Sequence, residues 1–481
     1  MFDMKQTFTF LAVLAILLSA IGASPVQAEN LHQQTWNSAI VVMNPHDVSA
    51  DFLITYYDST GAVIASTSLF TLAPMESRTI LVGSLANDGS AVISSNTDLV
   101  AVYREVLANN SSSPSIYTAF AGSPAGSSTV YIPSFVYNST TNTLLSVQSL
   151  EGSSDVTLTM TFYNSSGAAT ALTLGSMGTV RPSSPQFFDA SSFTGQLGST
   201  FSGSLVITAA DSRQIAAVAE QTTASGRSIF SAEGVPAGAS SVYLPSAMCG
   251  YGRYSQHSEF IIMNTSTSAG TFTIHYYDAQ GNQASTLPSG WTSSSVPAYS
   301  SVTVNPCSVS PALPNGTLYT AVITANTGQY AAIGEVLSNN GLQTAHAGVS
   351  SVLSTCSGGS CWTVLPYVEW SSSIYAIRTY IALMNVGSTA ASDVTINYYQ
   401  ANGTLLGSQT VSSIPQYAKV NSNPSLAAGV ITQTQRSFLG SVVVVSDQPL
   451  LAIARVQRLV RNSSSSYTTL GEDYMGYPYI P

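Results

Sequence analysis

The sequence predicts an all-β fold, with four tandem antiparallel β-sandwich modules behind a signal peptide. Three observations predict it. Apolar residues alternate with a period of two over short runs, one strand pattern returns four times, and turn signals interrupt the chain about every ten residues.

The first element is not a strand. Lys5, the apolar run Phe8 to Ala23 and Val26-Gln27-Ala28 supply the charged start, apolar middle and small-residue cleavage site of a secretory leader. Residues 1–28 are therefore expected to leave, and the mature chain to start near Glu29. The apolar run is short of a full membrane span, and no later stretch is long enough to cross a bilayer.

The modules follow as residues 29–127, 128–239, 240–361 and 362–473. Their clearest shared line is Phe52 to Asp58 with Gly61, which returns as Val156 to Tyr163 with Gly167, Phe272 to Asp278 with Gly281, and Val394 to Tyr399 with Gly403. Phe52, Ile54 and Tyr56 share one face of the first copy, while Thr55 and Tyr57 share the other, as in a half-buried strand. The Asp, Asn or Gln three residues before each glycine marks a hairpin turn in which the glycine takes the positive-φ position. Ahead of this line runs a strand ending on Asn: Ile40 to Asn44, Phe260 to Asn264, Ile381 to Asn385, with Leu144 to Ser149 a weaker copy. Behind it, a strand led by Gly89, Gly203, Gly316 or Gly440 turns into an apolar one beginning at Leu99, Ile215, Tyr330 or Leu450. Seven or eight such strands per module, with no helix after the leader, describe a sandwich.

Only 7% of residues are charged, against roughly a quarter in an ordinary soluble protein, and the net charge is -10. With no cationic cluster, nucleic acid and anionic membrane are poor partners. A surface solvated by Ser, Thr, Asn and Gly carries little repulsion between copies and tolerates self-association.

The segment Trp36-Asn37-Ser38-Ala39-Ile40-Val41-Val42-Met43-Asn44, followed by Ile54-Thr55-Tyr56-Tyr57-Asp58 and Gly61, resembles the immunoglobulin-like sandwich repeats of secreted bacterial surface proteins of the adhesion type. The resemblance extends over all four modules. It implies an immunoglobulin-like fold, a secreted or cell-surface setting and no catalytic residues. It also implies that a Tyr-x-Pro stretch opens each module as its first strand.

Tyr131-Ile132-Pro133, Tyr243-Leu244-Pro245 and the looser Val364-Leu365-Pro366 each run into a module, whereas Tyr479-Ile480-Pro481 runs into none. Tyr131 lies 18 residues before Ser149, and Tyr243 and Val364 lie 21 before Asn264 and Asn385. Counting back as far from Asn44 lands on residues 23 to 26, inside the leader. Module 1 is thus expected to lose its first strand on export, leaving an acceptor groove at Trp36, Ile40 and Val42. Residues 474–481, with Tyr474, Tyr477, Tyr479, Ile480 and Pro481, become a candidate donor strand for the next copy. If the terminal stretch is instead the last strand of its own module, the protein is a complete four-module rod.

Four cysteines allow three pairings, of which Cys249 with Cys307 and Cys356 with Cys361 is favoured in an exported chain. Their spacing lacks Cys-x-x-Cys pairs and nearby histidines, so no metal is expected. Asn110, Asn138, Asn164, Asn264, Asn315, Asn402 and Asn462 are candidate glycosylation acceptors. Glu105, Glu220 and Glu335 read as equivalent repeat positions, with Arg455 the fourth, which suits a contact between modules better than catalysis. The second tyrosines of the repeated line (Tyr57, Tyr163, Tyr277, Tyr399) read as an outward aromatic ladder or a sugar-stacking platform.

No catalytic motif and no cofactor signature occur. The expected function is a structural subunit of an extracellular cell-surface filament, a head-to-tail homopolymer joined by the terminal strand. The alternative is a monomeric cell-surface adhesin or glycan-binding protein with surface glycans as partners.

Overall fold

The computed structural model describes residues 11–14, 35–82, 89–108, 117–122, 126–223, 228–349, 356, 359–373, 376–461 and 467–479. Each module is built from two antiparallel sheets. In module 2 the first sheet runs Thr129–Tyr137, Phe201–Ala209, Val156–Asn164, Ala169–Ala171, and the second runs Pro185–Asp189, Thr141–Ser149, Ile215–Thr223, Ser228–Glu233. Module 3 repeats both orders from its opening strand Ser241–Cys249 to its last strand Gln343–Ala347. In module 4, pairing of Trp370 with Arg378 joins the two sheets into one of nine strands. The only α-helical segment among the described residues is the single turn Thr194–Leu197, in a long connection of module 2.

The alternation in sequence sets the faces. Val156, Leu158, Met160 and Phe162 are buried together with Phe135, Val147 and Leu205, while Thr157 and Thr159 between them are exposed. Each such large apolar side chain contributes about 1.5–3 kcal/mol by leaving water. The strand then turns as expected: Gly61, Gly167, Gly281 and Gly403 have φ of 82°, 86°, 79° and 81°, and each N–H donates to the carbonyl three residues back.

The opening strands share one register. Tyr131 faces Val206, Tyr243 faces Val322 and Val364 faces Val443, and each ladder shifts directly after the next residue, where Pro133, Pro245 and Pro366 have no N–H to offer.

The four modules do not form a rod. Their last strands, Tyr117–Ala121, Ser228–Glu233, Gln343–Ala347 and Tyr467–Met475, pack in succession around one axis, and the last returns to the first. The joints also repeat. Carbonyls of the left-handed residues Ser183, Tyr299 and Tyr417 accept hydrogen bonds from the hydroxyls of Ser90, Ser204 and Thr320 of the preceding module at 2.6, 2.5 and 2.5 Å. The fourth joint closes the ring by a different bond, with Ser77 N–H donating to Ala401 O at 2.9 Å. Hairpin glycines abut the next module throughout: a Cβ on Gly167 would lie 2.7 Å from Pro297, one on Gly281 2.9 Å from Pro415, and one on Gly403 2.3 Å from the Pro74 carbonyl.

The second tyrosines of the repeated line enter these joints. Tyr163 packs on Tyr299 with ring centroids 5.0 Å apart, Tyr277 on Tyr417 at 4.9 Å, and Tyr399 against a cluster that includes Met43 and Met75. They are half-buried between modules, so an outward ladder is not what these three form.

Candidate functional site

The sheet edge beside Gly89–Ser95 is where module 1 differs from its copies. In modules 2, 3 and 4 the matching edge is covered by the opening strands Thr129–Tyr137, Ser241–Cys249 and Cys361–Ser371. In module 1 it is covered by Leu11–Leu14, from within the stretch read as a leader. Leu11 pairs with Ser94, Ala12 with Ile93, Val13 with Val92 and Leu14 with Ala91. Val92 holds the ladder place of Val206, Val322 and Val443, so Val13 stands where the other modules put Tyr131, Tyr243 and Val364. Counting back from Asn44 thus missed the segment, landing on residues 23–26 instead of 11–14, because 20 residues separate Leu14 from Thr35, whereas 3 to 7 separate the corresponding strands of the other modules.

The expected acceptor residues sit below that edge. Ile40 and Val42 are 0% exposed and belong to the module 1 core with Phe52, Ile54, Ala91 and Ile93. Trp36 lies on the same strand, Thr35–Met43, where its backbone pairs with Leu107. Ile40 and Val42 are core of the sandwich rather than walls of an open groove, and the strand that offers backbone groups is Ala91–Ser94.

The terminal residues are paired within the chain. Tyr474 belongs to Tyr467–Met475, is 1% exposed, and exchanges hydrogen bonds with the Tyr367 backbone, which makes it part of the axial hairpin and not of a free end. Tyr477–Tyr479 pairs with the outer edge of Cys361–Ser371, Tyr477 opposite Val364 and Tyr479 opposite Trp362. In modules 2 and 3 the partners of Tyr131 and Tyr243 there are Val235 and Val349, each following a glycine as Tyr477 follows Gly476. By ladder position the terminal stretch thus matches the segments that close modules 2 and 3, and its resemblance to an opening strand is one of composition. It also fastens module 4 to module 1: the Tyr477 hydroxyl donates to the carbonyls of Ala101 and Gly122, and the Tyr479 hydroxyl meets His46 Nδ1 at 2.6 Å. Ile480 and Pro481 lie outside the described residues.

Around the axis, a protein with few charges buries several. Arg455 grips Asp473 with two bonds of 2.8 and 2.7 Å, and His346 Nδ1 lies 3.4 Å from the same carboxylate. Burial opposes ionisation of Asp473, but Arg455 and His346 outweigh it and hold the carboxyl down at about 2. Arg104 of module 1 donates to Glu472 of module 4 at 2.9 Å and lies over the Tyr367 ring, yet burial still pushes Glu472 up to about 7. Lys419, with its Nζ 3.1 Å from Ser246 Oγ, is pushed down to about 7 by burial and by Arg455. Ladder pairing corrects one sequence equivalence: Arg104 faces Ala119 as Glu220 faces Ser231, Glu335 faces Ala345 and Arg455 faces Asp473, so the counterpart in module 1 is Arg104 and not Glu105. An arginine does not resemble a glutamate, and only the register reveals the match. Arg104–Glu472, His346–Asp473 and Lys419–Ser246 cross module boundaries, whereas Arg455–Asp473 lies within module 4, an arrangement consistent with a structural role.

Disulfides join Cys249 to Cys307 and Cys356 to Cys361, with Cα atoms 5.3 and 4.6 Å apart. No group of three or more potential metal ligands occurs among the described residues, and no helix there is long and apolar enough to cross a membrane. Of the candidate glycosylation acceptors, Asn315 and Asn402 are exposed, and Asn138 and Asn164 are half-buried in turns that their own side chains cap. Asn264 is corrected: it is 0% exposed, and its Nδ2 donates to the carbonyls of Ser268, Val296 and Pro297, as Asn44 and Asn385 do in their own modules. Its amide is a structural clamp with no access for a glycan. Asn110 and Asn462 lie outside the described residues.

No protein-family model matches this chain, and no curated protein does. Among solved structures, the comparison gives Escherichia coli alpha-2-macroglobulin activated by porcine elastase, at 9% identity and a TM-score of 0.12, covering 97% of this chain and 44% of that one. A likeness that low carries no argument about fold or function, which rest on the geometry alone.

Proposed function

We propose that this protein is a structural subunit of an extracellular cell-surface filament, in which one copy completes module 1 of another by strand addition. One observation carries the reading: the first-strand place of module 1 is filled by Leu11–Leu14, within the segment whose pattern is that of a cleaved leader. Removal of that segment bares the backbone of Gly89–Ser95 along an apolar sheet edge, which favours pairing with an extended strand from elsewhere. A head-to-tail contact of this kind repeats without closing and gives a filament. The donor we assign is the stretch from Tyr477 onward, which has to leave its place on Cys361–Ser371 to reach the next copy.

The test uses protein purified after export, with its N-terminus sequenced. Negative-stain microscopy should show fibres with a regular repeat, and deletion of residues 477–481 should leave folded single rings. Fibres that survive the deletion would remove the terminal strand as donor. Single rings from the intact mature chain, with or without affinity for glycans, would remove the filament reading in favour of a monomeric surface protein.

A further inference from the structure

A cavity of about 320 Å³ lies on the ring axis. Its wall contains one residue from the end of each last strand, Ala121, Glu233, Ala347 and Met475, and the glycine after each, Gly122, Gly234, Gly348 and Gly476. By ladder register the four are equivalent, facing Val102, Val218, Ile333 and Ile453. Three of the four positions are apolar and one is a carboxylate. The glycines that follow sit tight against their own modules, a Cβ on Gly234 lying 2.2 Å from Val130 and one on Gly348 2.5 Å from Val242.

The rest of the wall is apolar, with Trp362 and Leu450 among its members, except for Thr363, whose hydroxyl donates to the Leu450 carbonyl at 2.8 Å, and the exposed Pro236 and Pro478 mark its mouth. Glu233 is the one ionisable side chain in the lining, because Cys361 is in a disulfide. Its Oε1 accepts a hydrogen bond from Ala121 N–H at 2.7 Å, and no ion pair to it occurs among the described residues. A volume of this size is at the lower end of pockets that hold small organic ligands. A single unneutralised carboxylate in an apolar wall selects for one charge and one body: an ammonium group to pair with the carboxylate, on a compact apolar frame that fills the remainder.

We propose that the axial cavity binds a small apolar primary ammonium ion, with Glu233 pairing the charged head. The site is independent of the filament reading, since it uses the axis and not the sheet edge of module 1. Burial lifts the Glu233 carboxyl above the ordinary range, against the pull of Ala121 N–H, which a bound cation would counter.

Titration calorimetry on the full chain with 2-phenylethylammonium, 2-phenylethanol and phenylacetate tests the assignment. The ammonium should bind, the alcohol should bind at least about tenfold more weakly, and phenylacetate not at all. Glu233→Gln should reduce ammonium binding by at least about tenfold without altering the weak binding of the alcohol. Ala347→Leu, which fills the cavity while keeping the carboxylate, should abolish both and keeps the question open to test if the Gln variant fails to fold. Equal affinity for ammonium and alcohol, unchanged binding in Glu233→Gln or in Ala347→Leu, or no binding of the ammonium at millimolar concentration would overturn the proposal.

Discussion

Replacing Glu335 by Gln is expected to stabilise the protein at neutral pH and to leave it unchanged in acid. Glu335 lies on Tyr330–Leu337 directly across the ladder from Glu259, and is 6% exposed. Burial first, and the Glu259 carboxylate second, push its carboxyl from 4.5 up to about 8. The folded protein therefore keeps a proton that the unfolded chain releases. A raised folded value gives a contribution that is fully present below about pH 4.5 and lost as pH rises to about 8, at ~1.4 kcal/mol per pH unit. Over the interval to pH 7 the loss is ~3 kcal/mol. Gln has the same shape and no proton to lose, so the difference between the proteins should grow from about zero near pH 4 to ~2–3 kcal/mol near pH 7. The other buried groups are common to both proteins and cancel in the comparison. Calorimetric and urea unfolding at several pH values measures the difference, and Glu259→Gln should give a smaller shift of the same sign. Parallel pH profiles, or a Gln variant that is less stable at neutral pH, would refute the reasoning.

Asp473→Asn should destabilise by ~3–5 kcal/mol, because it leaves the Arg455 guanidinium buried beside a neutral amide, and paired Arg455→Met should recover part of the loss in urea unfolding. Gly403→Ala adds a Cβ 2.3 Å from the Pro74 carbonyl, whereas Gly316→Ala, at the same positive φ, meets nothing within 4 Å. Both should cost ~1–2 kcal/mol for the left-handed backbone, with a further loss at Gly403 alone, read as a lower midpoint in thermal unfolding. Tyr477→Phe deprives the Ala101 and Gly122 carbonyls of a donor and should cost ~1–2 kcal/mol, with faster amide hydrogen exchange at the module 4 to module 1 joint.

The sandwich was legible in sequence because its determinants are local. Phe52, Ile54 and Tyr56 alternate with polar neighbours, the turn glycines recur at fixed distance, and both signals survive without knowledge of any distant contact. The disulfide pairing was legible as well, since Cys356 and Cys361 close one small loop and Cys249 and Cys307 then remain. The ring was not. Its joints are made by Ser90, Ser204 and Thr320 reaching the carbonyls of Ser183, Tyr299 and Tyr417, and a small hydroxyl aimed at a backbone oxygen leaves no trace in a pattern of polarity. The charge cluster hid for another reason: quasi-equivalent places hold Arg104, Glu220, Glu335 and Arg455, so symmetry of position is carried by residues of opposite sign. The terminal Tyr-Ile-Pro misled because composition is shared by two kinds of strand, and only Tyr477 opposite Val364 distinguishes them.

The opening strands do two jobs, and this links the edge of module 1 to the ring. Thr129–Tyr137 pairs in module 2 and also packs on Tyr330–Leu337 and His257–Asn264 of module 3; Ser241–Cys249 packs likewise on module 4, and Cys361–Ser371 on module 1. By the same geometry, whatever fills the place beside Gly89–Ser95 stands at the joint between modules 1 and 2. That joint already holds Val218 of module 2 within the module 1 core. A strand added there completes a sandwich and braces a joint in one step, so the free energy of strand addition includes both terms. In the proposed filament, that coupling would favour strand addition at this place over pairing at an edge that braces no joint.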